Sequence, residues 1–355
     1  MTGLWTSGHL LARTIRAGLV PAALAYESVR RGRVAAYRAG LRPRSRLPLA
    51  SVGVGSLQVG GAGKTPIASW AAGWLADRGR RPGILLRGYG GDEGPLHRLM
   101  EPRAVVVEDP DRLRGATAAA NSGADTLVLD DHAQHLAIVA DCSLLLIGVE
   151  ALGGSRRVLP AGPWRQPWQT GCADVVVLTA KQASRRARAE ARALVEDAYP
   201  GCPVAEARLA ISAWEPLAGG PAMPDAALRG RAVIAACGIA DPRPFLAHVD
   251  AVADLRDRRI APDHARYGPR RIVRLVRAAE CARADYVVTT AKDAVKLRSV
   301  WPPDAPPILV AQLAVEWTDG EACVTRAIEG CLAAREATIT TRPTHAAAPM
   351  AAGLA

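Results

Sequence analysis

The chain has 355 residues, enough for two ordinary domains, and 49% of them are hydrophobic, which excludes wholesale disorder. Aromatic residues make up only 4%, so any core has to be built from Ala, Val, Leu and Ile. The net charge of +11 is concentrated at one end. Residues 1–50 hold Arg13, Arg16, Arg30, Arg31, Arg33, Arg38, Arg42, Arg44 and Arg46 against a single acid, Glu27. A basic arm of this kind points to an anionic surface. No aromatic residues are interleaved in a way that favours nucleic acid, so the expectation is a membrane surface and no nucleic acid.

The N-terminal segment has no run of 18 apolar residues and no signal-peptide cleavage pattern, so no ordinary span is expected. Residues 9–31 are amphipathic instead. Leu11, Ile15, Leu19, Ala22, Tyr26 and Val29 follow helical spacing on one side, with Arg13, Arg16 and Arg31 on another. Such a helix lies in a membrane interface or packs on its own domain. Pro21 is expected to kink or split it. The seven cysteines are scattered without a CxxC pair, which argues against a zinc site or a disulfide framework and for a reducing compartment.

Strand "LPLASVGVGSL" (47–57) leads into a glycine loop, then a helix over 65–79 closed by Gly79. Strands follow at 81–91, 103–109, 124–131, 141–148 and 173–180, with helices at 111–123 and 182–197. Continuous apolar strands alternating with helices predict a parallel sheet covered on both faces. Residues 204–222 alternate at period two and read as a linker of extended strands. A second α/β unit then begins, with strands at 231–238, 284–293 and 306–313 and helices near 242–251, 269–283 and 319–335. The tail, rich in Ala, Thr and Pro, is expected to be disordered from about 336. The domain boundaries so predicted are 1–46 for the basic helix, 47–203 for a P-loop unit, 204–224 for a β linker and 225–335 for the second α/β unit, followed by the tail.

The loop "QVGGAGKT", residues Gln58, Val59, Gly60, Gly61, Ala62, Gly63, Lys64 and Thr65, lies between a buried strand and a helix. Its glycines let backbone N–H groups turn toward phosphate oxygens at a helix N-terminus. Lys64 would reach the β/γ-phosphates, and Thr65 would offer its hydroxyl to Mg²⁺. Gln58 stands where the usual pattern has its first glycine. Lys64 is one of only four lysines, the others being Lys181, Lys292 and Lys296. The apolar strand "TLVLDD" ends in Asp130-Asp131, acids placed to serve the metal. Asp92-Glu93 follow another strand end on the same sheet edge, where they are either site residues or a solvated turn. His264, in "APDHARY", reads locally as either structural or catalytic.

Several separated segments together resemble the tetraacyldisaccharide 4'-kinase family: "SVGVGSLQVGGAGKTP", "RPGILLRGYGG" with "GDE", "LVLDDHAQH", "LPAGPWRQP", "AACGIADPRPF", "PDHARY" and "TTAKDAVKL". A non-glycine at the first loop position is a family trait. The resemblance implies two parallel-sheet α/β/α domains, a P-loop NTPase-type unit followed by a second α/β domain. A short β linker joins them and ATP lies in the cleft. It implies ATP- and Mg²⁺-dependent phosphorylation of the 4'-hydroxyl of a tetraacylated glucosamine disaccharide 1-phosphate. The site would be the cytoplasmic face of the bacterial inner membrane, reached by a peripheral or monotopic anchor, with no obligate protein partner. The family's Asp–His dyad, which activates the sugar hydroxyl, falls on Asp92 and His264, with Asp109 or Asp111 as alternatives for the acid. Arg165 would contact phosphate.

The chain departs from the family pattern at His132 and Ala133, at Ala291, near Gly148 where an aspartate is usual, and in the shortened join before Asp92. The competing readings are a divergent, non-catalytic nucleotide- or lipid-binding relative and a P-loop switch. No NKxD motif supports the switch.

Overall fold

The computed structural model describes residues 5, 9–88, 91–170, 173–263 and 265–340. From residue 9 onward the first described elements are two helices, α1 (Leu10–Gly18) and α2 (Val20–Arg38), with Pro21 in the first turn of α2. The expected split therefore falls just before the proline, where its missing N–H costs nothing.

The first α/β half contains β1 (Ser45–Arg46), β2 (Ala50–Ser56), α3 (Lys64–Ala76), β3 (Pro82–Leu86), α4 (Glu93–Met100), β4 (Val105–Glu108) and α5 (Arg112–Asn121). It continues through β5 (Thr126–Leu129), β6 (Ile138–Val139), β7 (Cys142–Gly148), α6 (Val149–Leu152), β8 (Val175–Ala180), α7 (Arg185–Ala198) and β9 (Val204–Pro216). The second half contains β10 (Ala232–Cys237), α8 (Arg243–Val252), β11 (Asp254–Ile260), α9 (Pro269–Cys281), β12 (Tyr286–Thr290), α10 (Ala291–Leu297), β13 (Ile308–Asp319) and α11 (Glu321–Thr340).

Eleven strands form one sheet in the order β11-β10-β12-β13-β9-β8-β7-β2-β5-β3-β4. Every neighbouring pair is parallel except β9 and β13, which run antiparallel as a long ribbon. The central strands β2, β3, β5 and β8 are buried at every position, as continuous apolar runs require.

That ribbon places the cleft. Ala180, the last paired residue of β8, lies opposite Arg208 of β9, and Thr290, the last of β12, lies opposite Ala311 of β13. Because β8 runs with β9 and β12 runs with β13, both half-sheets aim their carboxyl ends at the stretch where Leu209–Ala213 pairs with Gln312–Val315. Ligands of open α/β sheets bind at carboxyl ends of strands, and here two such edges converge on one place.

Several elements were not expected from sequence, and three of them matter most for the architecture. Strand β11, "DLRDRRI", is a charged, largely exposed edge strand with no apolar run to betray it. Helix α4 is short and opens at the Asp92-Glu93 turn. The stretch read as strand to residue 293 ends at Thr290, and α10 starts there. The Thr290 hydroxyl accepts the Asp293 N–H (3.3 Å) and donates to the Asp293 carboxylate (2.7 Å), a local cap that stops the strand. The last helix, α11, returns to the first half: Val324, Ile328 and Leu332 are buried with Val52 and Leu144. It extends to Thr340, past the point where the tail is expected to lose order.

Candidate active site

The loop after β2 turns through Gly60, Gly61 and Gly63 at φ 68°, 72° and 75°. This left-handed region is unstrained only for glycine. Gly63 is required twice over, since a Cβ there would come within 2.3 Å of Leu209 Cδ1 on the ribbon. Helix α3 then starts at Lys64 with no side-chain cap, leaving first-turn N–H groups to face a ligand.

The remaining loop residues hold the cradle in place. The Val59 N–H donates to Pro163 O (2.8 Å), and the Thr179 hydroxyl donates to Ala62 O (3.0 Å). Gln58 is buried. Its side-chain amide donates to Gly60 O (3.3 Å), while its side-chain carbonyl accepts the Gly148 N–H (3.1 Å). The residue in the position of the missing glycine therefore ties the loop to the end of β7. A Cβ on Gly148 would lie 2.8 Å from Gln58, so the bare glycine there and the glutamine fit each other.

The acids stand opposite. Asp130, directly after β5, is 5% exposed. Its Oδ2 accepts from His97 Nε2 (3.0 Å) and Thr65 Oγ1 (3.3 Å), and its Oδ1 accepts the Asp131 N–H (2.7 Å). Burial pushes this carboxyl up. The His97 hydrogen bond, with the charges of His97 and Lys64, more than offsets that and holds it below the usual carboxylate range. Asp131 sits at φ 53°, a strained value for a non-glycine residue, of the sort that collects at functional sites. Its carboxylate receives Arg165 Nη1 at 2.8 and 2.9 Å, and Lys64 Nζ lies 3.6 Å away. Arg165, expected to touch phosphate, is here the partner of Asp131 and of Gln134 (2.6 Å).

Asp92 is the residue at the N-terminal boundary of α4 and is almost fully buried, with Lys296 Nζ 2.9 Å from its Oδ2. Its neighbour Glu93 has its carboxyl raised, first by burial and then by the charges of Asp130, Asp92 and Asp131, against the pull of Lys64. Glu93 thus lies within electrostatic reach of three other carboxylates and the loop lysine. His264 lies outside the described residues, so the structure gives no geometry for an Asp92–His264 pair. Asp109 is paired with Arg114 (2.7 Å) and Asp111 caps α5, so neither alternative acid is turned to this cluster.

Sequence reasoning assigned no role to His97, Arg112 or Lys296. Arg112 is buried and donates to Asp130 O (2.9 Å), and burial lowers its guanidinium from the usual value. The one signal available for Lys296 was lysine scarcity. Each of the four lysines follows the carboxyl end of a strand: Lys64 after β2, Lys181 after β8, Lys292 and Lys296 after β12.

The sequence profile of the tetraacyldisaccharide-1-P 4'-kinase family matches residues 15–331. The chain belongs to that family. A tetraacyldisaccharide 4'-kinase of Pelobacter propionicus is 35% identical over 338 residues, covering 87% of this chain and 90% of its own. One from Geobacter metallireducens is 36% identical over 317 residues, covering 82% and 91%. The crystal structure of the "apo" form of LpxK from Aquifex aeolicus in complex with ATP superposes with a TM-score of 0.70 at 24% identity. It covers 90% of this chain and 99% of that one. The likeness shows the P-loop kinase fold for the described strands and helices. Gln58, which departs from the common phosphate-loop pattern, thus belongs to a tetraacyldisaccharide-1-P 4'-kinase framework.

Proposed function

We propose that the chain is a lipid sugar kinase that transfers the γ-phosphoryl group of ATP to the 4'-hydroxyl of a tetraacylated glucosamine disaccharide 1-phosphate. One observation carries this reading. The three-glycine cradle and Lys64 face a cluster of four carboxylates across the edge where both half-sheets end. Acids held beside a phosphate loop suit a site that binds a nucleotide with its divalent cation.

The donor set at the cradle, Thr65 hydroxyl with Asp130 and Asp131 carboxylates, is all oxygen and strongly anionic, which fits a hard divalent cation such as Mg²⁺. When bound, the cation would neutralise charge developing on the transferring phosphoryl group. The chain's own groups do the rest. Backbone N–H groups of residues 60–64 bind the phosphates, and Lys64 offsets their charge. Asp92, held by Lys296, would accept the proton of a sugar hydroxyl together with His264, the roles that the family resemblance implies for them. Binding between the two half-sheets excludes water, which protects ATP from hydrolysis.

The acceptor would enter from the membrane side. Leu10, Leu11, Leu24 and Val29 are exposed on α1 and α2. Beneath α2 a cavity of about 1030 Å³ is lined by Arg30, Arg38, Arg44, His132 and His135. Apolar side chains suit acyl chains, and the arginines suit a sugar phosphate. The exposed apolar residues and the arginine-lined cavity support a reading of the protein as a peripheral or monotopic enzyme at the cytoplasmic face of the inner membrane. The test is ³²P transfer from ATP to the tetraacyl disaccharide 1-phosphate in mixed micelles, with Lys64→Ala as control. No transfer by the folded wild type, or equal transfer by the variant, would remove the kinase reading.

A further inference from the structure

His97 is the fourth residue from the end of α4 and has no solvent exposure at all. Burying an imidazole is unfavourable unless both ring nitrogens are satisfied. Both are. Nδ1 lies 2.9 Å from Ser69 Oγ on α3, and Nε2 lies 3.0 Å from Asp130 Oδ2. A carboxylate oxygen can only accept, so the ring nitrogen facing Asp130 has to carry the hydrogen. Ser69 on the other side can donate to Nδ1 or accept from it, so it supports that arrangement. Three elements meet at this ring: the helix that opens at the phosphate loop, the helix that opens at Asp92-Glu93, and the strand end that carries Asp130.

We infer that His97 is a positioning residue for the metal-side carboxylate, and that the Ser69–His97–Asp130 chain sets the affinity of the site for its divalent cation. The inference rests on the kinase reading only for which cation-nucleotide complex is used. A carboxylate has about four acceptor positions. Three on Asp130 are taken: by His97 and Thr65 on Oδ2, and by the Asp131 N–H on Oδ1. The group is therefore locked in one rotamer, with its remaining lone-pair direction fixed before any ligand arrives. Fixed carboxylates bind hard cations better than mobile ones because less freedom is lost. Asp131 differs: its side chain is 41% exposed and is steadied by the surface-reaching Arg165. The pair thus consists of one rigid and one adaptable acid, and His97 makes the difference.

The experiment measures Mn²⁺ binding to the full-length protein saturated with a non-hydrolysable ATP analogue, by electron paramagnetic resonance. Wild type, His97→Leu, His97→Gln and Ser69→Ala are compared. His97→Leu keeps the volume and removes the donor, and should weaken Mn²⁺ about 10-fold or more, the usual size of such an outer contact. His97→Gln returns an N–H toward Asp130 and should recover most of the loss. Ser69→Ala should weaken Mn²⁺ in the same direction, and it reports on the chain even if His97→Leu does not fold. Unchanged Mn²⁺ affinity in a folded His97→Leu, or in Ser69→Ala, overturns the inference. So does a His97→Gln loss equal to that of His97→Leu, which would mark a packing role. Failure of the wild type to phosphorylate the lipid would sink the kinase reading while leaving the Mn²⁺ comparison intact.

Discussion

Lys296 Nζ, on α10 of the second half, lies 2.9 Å from Asp92 Oδ2, at the start of α4 in the first half. This ion pair crosses the cleft between residues 204 positions apart in sequence. Both partners are largely buried, so the pair is screened little by solvent. Helices α4 and α10 pack together around it, with Leu96 among the apolar residues of the second half. The contact therefore couples the seating of the proposed catalytic acid to the closure of the two half-sheets.

Replacing Lys296 with Met should hurt both stability and turnover. Removing the cation leaves Asp92 buried beside other acids, at a cost of about 3 kcal/mol. We expect a lower Tm and a kcat reduced 10- to 100-fold, with the KM for ATP changed less than threefold. Lys296→Arg should fall between, since the guanidinium fork does not substitute for a point charge at a single oxygen. Calorimetry and steady-state kinetics check both arms. A kcat within twofold of wild type in Lys296→Met would detach the pair from catalysis.

Gln58→Gly restores the glycine of the usual phosphate-loop pattern and should nevertheless weaken the protein. Two hydrogen bonds to Gly60 O and Gly148 N are lost together, about 1–2 kcal/mol. The loop gains freedom, so the KM for ATP should rise several-fold while kcat falls little. A variant with improved or unchanged ATP affinity would contradict the structural role given to this residue.

His132 and His135 predict acid sensitivity. Burial is the first cause for both, followed by neighbouring positive charge, and both imidazoles are pushed down to about 4. In the unfolded chain they take up protons near pH 6.5. Between about pH 6.5 and 4 the unfolded state therefore binds more protons, and stability drains away as pH falls through that window. At pH 5 the loss is on the order of 2 kcal/mol for His132, and less for the more solvated His135. Thermal melts at pH 7 and pH 5 should differ by several degrees, and His132→Gln should narrow the gap. Parallel curves for wild type and variant would show that this ring does not set the acid limb.

Changing Leu10, Leu11, Leu24 and Val29 together to Ser keeps the arginines and removes exposed apolar surface. Partition onto anionic vesicles should fall at least about 10-fold in a flotation assay, with ATP binding unchanged. Undiminished flotation would move the membrane contact elsewhere.

Local physics wrote much of this protein into its sequence. The apolar runs set the parallel strands. The glycines at 60, 61 and 63 mark turns that only glycine tolerates, and Asp130-Asp131 stand out as polar residues ending a buried strand. Pro21 fixes the break between the first two helices. Even the four lysines, in a chain that otherwise uses arginine, mark strand ends where a ligand belongs. Each of these signals depends on neighbours within a few residues.

The tertiary structure decided what depends on distant partners. Whether Asp92-Glu93 formed a solvated turn or part of a site could not be read locally, because the answer lies in Lys296 and in the charges of Asp130 and Asp131. Gln58 acquires its purpose only when Gly148 comes beside it. His97 sits in a stretch with no motif, and it gains a role only because α3, α4 and the end of β5 enclose its ring. The charged strand β11 pairs at a sheet edge where no apolar pattern is needed, so its sequence resembles a loop. The cleft itself arises from one antiparallel ribbon turning two parallel half-sheets toward each other, and no short stretch of residues encodes that relation.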